Sequence, residues 1–211
     1  MSITTYAGLL SQLGKMVTFE GDNEGDASIA TLQTVISLAE TRINREARTG
    51  YNEAAISGTV TSNAFALPAD WRAASMVHFG ALPLEGVSPE YLREHLDGQP
   101  SGVCKYFCTQ GRSLLFSPAV ADGTAVQGYY FKALPALDAT TTPTNALFLA
   151  ANDLYLFACM VEAAPLYGFE DKLQLFEAKY QDVRDALNTE HQRAAYSSGR
   201  IKRRASTRLM G

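Results

Sequence analysis

The chain has 211 residues, 46% of them hydrophobic, and 18 Lys+Arg against 22 Asp+Glu give a formal charge of −4, a composition that suits a soluble globular protein with a sizeable core. A membrane span is excluded because the most apolar stretch, 147–166, contains Asn152, Asp153 and Glu162. The three cysteines are an odd number and argue against a disulfide scaffold.

Periodicity then divides the sequence in chain order. Tyr6, Leu9, Leu10 and Leu13 share one face of a first helix, closed by the loop Gly21-Asp22-Asn23-Glu24-Gly25. Ile29, Leu32, Ile36, Ala39 and Ile43 recur at 3,4,3,4 spacing and predict a long amphipathic helix, with Asp26 or Ser28 as its N-cap and Thr49-Gly50 as its stop. From residue 54 the pattern changes to period two, with β-branched and aromatic residues between turn formers. Strands are expected at 56–61, 64–67, 73–79, 103–109, 113–117 and 125–132. Thr140 to Pro143 reads as a linker, after which Leu147, Leu154, Phe157 and Val161 predict one helix over 145–164, ended by Pro165 and Gly168. Leu173, Phe176, Tyr180, Val183 and Leu187 predict a last helix, joined to the previous one as an antiparallel hairpin.

The fold class expected is therefore α+β. Residues 1–53 and 139–195 supply the helices of one bundle, residues 54–138 form an inserted antiparallel β domain, and 196–211 an extended basic arm. The arm is set apart by charge. No acid follows Glu190, whereas Arg193, Arg200, Lys202, Arg203, Arg204 and Arg208 crowd the end, so the rest of the chain carries −10.

Chemistry is sparse. Cys104 and Cys108 are spaced C-x3-C without a second pair to complete a tetrahedral set. His78, His95 and His191 form no ligand spacing, and the acidic loop 20–26 lacks the order of a calcium loop. There is no G-x-S-x-G, no P-loop and no dinucleotide fingerprint. Residues 1–6 lack the basic and apolar regions of a secretory signal. No enzyme activity, metal or cofactor is expected. The arm mixes cations with Ile201, Leu209 and Met210: a nucleic-acid arm needs only the cations, and a segment that docks on protein uses both.

The run Leu38-Ala-Glu-Thr-Arg-Ile-Asn-Arg-Glu-Ala-Arg48, followed by Leu67-Pro-Ala-Asp-Trp71, resembles head-to-tail adaptor (connector) proteins of tailed bacteriophages. Leu114-Leu-Phe-Ser-Pro118, Gly128-Tyr-Tyr-Phe-Lys-Ala-Leu-Pro-Ala-Leu137 and Asp153-Leu-Tyr-Leu-Phe-Ala-Cys-Met-Val-Glu-Ala-Ala-Pro165 continue the match in order. The resemblance implies a structural virion protein, made in the host cytoplasm, that forms a ring of neighbouring subunits, commonly twelve, below the portal protein. Such a ring extends the channel for double-stranded DNA and gives tail or nozzle proteins a platform. It also implies that the arm, through Arg200, Ile201, Lys202, Arg203, Arg204, Arg208 and Leu209, docks on the portal. With a body of −10, the channel is expected to repel DNA, and Glu40, Glu46, Asp153 and Glu162 on predicted helices are candidates for a channel or intersubunit face. The competing reading of the same residues is a DNA-binding accessory protein that grips phosphates with its basic tail.

Overall fold

The computed structural model describes residues 3–20, 28–96 and 102–196. The predicted loop at 21–25, the alternative cap Asp26, and the arm residues Arg200, Ile201, Lys202, Arg203, Arg204, Arg208 and Leu209 lie outside these. The fold is α+β, with helices from both ends of the chain and, between them in sequence, the strands of two small sheets. It divides into two compact units, one made of Met1–Gly50 with Ala150–Gly211, the other of Tyr51–Leu149.

The first unit is helical, with α1 at Tyr6–Glu20, α2 at Ile29–Glu46 and, from the far end of the sequence, two further helices. Helix α2 starts where Ser28 accepts a hydrogen bond from the Thr31 N–H at 3.2 Å, which satisfies one of the free donors of the first turn. Its predicted stripe is buried: Leu32, Ile36, Ala39 and Ile43 all face the core, joined by Val35. In α1, Leu9, Leu13 and Val17 do the same.

The second unit opens with β1 at Glu53–Thr59, β2 at Ala64–Ala66, β3 at Trp71–Phe79, β4 at Leu82–Pro83 and β5 at Glu85–Gly86. A short helical turn, α3 at Pro89–Tyr91, precedes β6 at Tyr106–Gln110, β7 at Ser113–Ser117 and β8 at Ala125–Lys132. Among the described residues the strands form two four-stranded sheets, ordered β1-β8-β3-β4 and β2-β7-β6-β5. Pairing is antiparallel throughout except between β5 and β6, which run parallel. That parallel edge and β4 have only two residues per strand, too short for period two to announce. The two sheets share one core: Ile56, Val77, Val126 and Tyr130 from the first meet Phe65, Phe107, Leu114 and Phe116 from the second. The turn between Thr61 and Ala64 is a two-residue hairpin loop with φ of 51° at Ser62 and 58° at Asn63, the left-handed pair that suits the twist of its strands.

The Leu67-Pro-Ala-Asp-Trp71 motif acts as a strap in this unit. Leu67 donates its N–H to the Arg112 carbonyl at 2.9 Å, and the Asp70 carbonyl accepts from Ala133 N–H at 2.7 Å. The Tyr130 hydroxyl donates to Asp70 Oδ1 at 3.0 Å while the Trp71 ring stacks on Tyr130, with centroids 4.9 Å apart. One short motif thus engages the turn that leads into β7, β8 itself and the chain that leaves β8.

The helix expected over 145–164 is two helices, α4 at Ala146–Ala150 and α5 at Asn152–Tyr167. Ala151 breaks them with φ −143° and ψ 66°. Asn145 Oδ1 accepts from Phe148 N–H at the start of α4, and Asp153 Oδ1 from Leu154 N–H in the first turn of α5, so each begins on its own polar residue. Leu147 and Leu154 are both fully buried, and a spacing of seven hides the break from periodicity. Pro165 lies inside α5 rather than ending it; the stop is Gly168, which caps the helix at φ 77° and donates to the Ala164 carbonyl. Helix α6, Leu173–Tyr196, completes the first unit. In that unit α5 packs against α1, α2 and α6, with its small residues Ala158, Cys159, Ala163 and Ala164 buried.

Gly128 in β8 is required where β3 bulges between Ala74 and Met76. It has φ 142°, and a Cβ there would overlap the Met76 carbonyl oxygen. Gly128→Ala is therefore expected to cost more than about 3 kcal/mol. Gly123→Ala, at φ 84° with no atom within 4 Å, is expected to cost about 1–2 kcal/mol. Urea unfolding of the two variants checks this, and equal midpoints would contradict it.

Candidate interaction site

The densest polar constellation among the described residues lies in the helical unit, where α2, α5 and α6 meet. Arg42 of α2 forks onto Glu177 of α6, with Nη2 at 2.6 and 2.8 Å from its two carboxylate oxygens. The same guanidinium reaches Glu162 of α5 at 3.5 Å and Glu46, one turn along α2, at 3.4 Å. Arg184 of α6 donates to Glu46 at 2.8 Å. Both guanidiniums lie over the ring of Tyr180, at 4.8 Å for Arg42 and 5.9 Å for Arg184, so the aromatic face adds a further attraction to the cations.

Helix geometry brings these groups together. Arg42 and Glu46 are i,i+4 neighbours, as are Tyr180 and Arg184, so each pair shares one helix face. The side chain of Arg42 is 17% exposed, and those of Glu162 and Glu177 are each 28% exposed. Burial pulls the Arg42 guanidinium down, but Glu177 and Glu46 more than offset it and leave its pKa above the ordinary value.

The predicted face residues are placed as follows. Glu46 and Glu162 belong to this network, and Glu40 is buried on α2 at 8% exposure, close enough to Cys159 to act on its thiol. Asp153 is exposed at the start of α5. From sequence Tyr180 is read only as a stripe residue of the last helix and Arg42 only within the 38–48 run, and neither Glu177 nor Arg184 is marked as a partner; the i,i+4 pair Arg42/Glu46 is the local signal, and the partners of Arg42 lie 120 and 135 residues further on.

The residues weighed for chemistry have ordinary surroundings. Cys104, Cys108 and Cys159 are free and buried, and burial raises all three thiols. His78 Nδ1 donates to the Gly80 carbonyl at 2.8 Å. Among the described residues no group of three or more His, Cys, Asp or Glu is placed to hold a metal ion. No helix among the described residues is long and apolar enough to cross a membrane. The arrangement holds surfaces in place, by charge and by packing.

Removing the central cation tests the network. Arg42→Met leaves Glu46, Glu162 and Glu177 without their shared partner and is expected to cost about 2–3 kcal/mol, between the limits for exposed and buried pairs. Arg42→Lys should recover only part of this, since an ammonium cannot fork onto a carboxylate. A loss below about 0.5 kcal/mol for Arg42→Met in urea unfolding would contradict the assignment.

A second test uses pH. Burial pushes the Tyr180 hydroxyl well above its ordinary 10.0, with Glu46 adding to it. Burial likewise pushes the Cys159 thiol above its ordinary 9.0, with Glu40 and Glu162 adding. Both groups keep their protons in the fold at a pH where the unfolded chain has lost them. Their contribution is therefore complete below about pH 9 and declines as pH rises, by at most about 1.4 kcal/mol per unit for each group. Urea midpoints are expected to fall between about pH 9 and 11, and Tyr180→Phe, which has no proton to lose, to flatten the upper part. A flat wild-type profile would refute this.

No match to the chain was found among curated proteins. A family model described as SU10 adaptor protein matches residues 4–204, which takes in the Arg42 network, the Asp70 strap, both sheets and all of α5 and α6. The chain belongs to the SU10 adaptor protein family, a family of phage head-to-tail adaptors.

Proposed function

We propose that this chain forms a ring below the portal of a tailed phage, commonly of twelve copies, and that the ring continues the DNA channel and seats the tail or nozzle proteins. The family is one of structural virion adaptors, which interact with other head and tail proteins. The observation that carries the finer reading is the division of charge between a body of −10 and a final acid-free stretch. A ring of acidic bodies repels the phosphate backbone, so DNA slides through without sticking.

Of the four acids weighed for the channel or the intersubunit face, Asp153 is the one that presents its carboxylate outward. Glu46 and Glu162 spend their charge on Arg42 and Arg184, and Glu40 is buried, so these three act on the faces through the helices they hold. The arm from Arg200 through Ile201, Lys202, Arg203 and Arg204 to Arg208 and Leu209 docks on the portal, its cations against acids and its apolar residues in shallow pockets.

A chain that ends at Ser198 is expected to fold, with unchanged circular dichroism, and to lose co-sedimentation with purified portal rings. Undiminished co-sedimentation would sink the docking role. The DNA-binding alternative is separated by the same arm: a synthetic 197–211 peptide that bound duplex DNA with steep salt dependence, and portal rings not at all, would favour it.

A further inference from the structure

The helical unit has an open groove of about 560 Å³ beside the Arg42 network. Val161, Pro165, Leu173 and Ala178 give it an apolar lining, and Glu162 and Glu177 stand along it. Its charge is unbalanced: the network sets the carboxylates of Glu46, Glu162 and Glu177 against the guanidiniums of Arg42 and Arg184. Glu162 is the least engaged, with one contact of 3.5 Å where Glu177 has two below 3 Å. A segment that fits must bring a cation for Glu162 and apolar side chains for the lining.

The sequence holds one such segment. The stretch after Glu190 carries six Lys+Arg, and no other acid-free stretch of the chain carries more than two. Its last residues pair cations with apolar side chains: Arg204, Arg208, Leu209 and Met210. We propose that residues 197–211 of the same chain occupy this groove in the free subunit.

Length permits it. From Tyr196, the end of α6, back to the level of Gln181 and Glu177 is about 22–28 Å at the helical rise. Ser197-Ser198-Gly199 suits a chain reversal, and seven to nine extended residues then cover the distance at about 3.3 Å each. Seven to nine residues past Gly199 are Ser206 to Arg208, so the segment is long enough to reach Glu177 and Glu162. Attachment to α6 holds the segment at roughly millimolar effective concentration, so even weak docking is populated. If the arm also binds the portal, which rests on the function proposed above, groove and portal compete for the same cations.

The test uses the full chain without portal. Arg208→Lys keeps the charge and places an amine at position 208, and a zero-length carbodiimide couples it to a carboxylate in contact. The expected product is a cross-linked peptide pair joining position 208 to Glu162 or Glu177, identified by mass spectrometry. In a mixture of nitrogen-15-labelled and unlabelled protein, both halves of each pair should carry the same isotope. In Glu162→Gln the pair joining position 208 to Glu177, whose carboxylate is unchanged, should fall roughly fivefold, the worth of one ion pair of about 1 kcal/mol. Absence of the pair would overturn the proposal. Pairs of mixed isotope would overturn it too, in favour of a second copy. Because no portal is present, either result leaves the co-sedimentation test of portal docking independent.

Discussion

The helical unit depends on a single guanidinium. Arg42 lies on α2, and the groups it holds come from α5 and α6, on the far side of the whole β unit in sequence. Apolar stripes bring the three helices together, since Ile36, Ala39 and Ile43 on α2, Ala158 and Cys159 on α5, and Phe176 and Tyr180 on α6 must leave water. Packing by itself tolerates several rotations of a helix about its axis. A fork onto Glu177, with shorter reach to Glu46 than to Glu162, tolerates far fewer, because charge-assisted bonds are directional. The stack of Arg42 and Arg184 over Tyr180 fixes the same angle a second time.

The β unit solves a different problem. Its sheets are small, and the edge strands β2, β4 and β5 have only two or three residues, so the shared core from Ile56 to Tyr130 does most of the holding. The Asp70 strap adds what apolar packing lacks: the aspartate accepts the Tyr130 hydroxyl at 3.0 Å, and Trp71 covers the same ring. An adaptor has to meet head proteins and tail proteins with one chain.

Charge links the architecture to the role. Acids massed on a helical bundle repel one another. Here several are absorbed: Glu46, Glu162 and Glu177 surround Arg42 and Arg184 in a network that is nearly neutral and stops one cation short. The positive charge left over is concentrated after Glu190, where it can be offered to another surface.

Much of this was legible from residue patterns. The stripes of α2 and α6, the strands β7 and β8 and the family resemblance all rest on neighbours within one or two turns, where spacing dictates geometry. The break at Ala151 was not, because Leu147 and Leu154 keep the same stripe through it, and neither was the parallel edge at Glu85–Gly86, which is too short to carry a period. The four acids singled out were recognisable as acids on helices, but nothing local distinguished exposed Asp153 from Glu46 and Glu162. Burial and pairing belong to surfaces 120 and 135 residues apart in the chain. The sequence by itself determined the elements, the charge division and the family, since these follow from local periodicity and composition; only the tertiary structure decided which charges are spent inside and which remain to act.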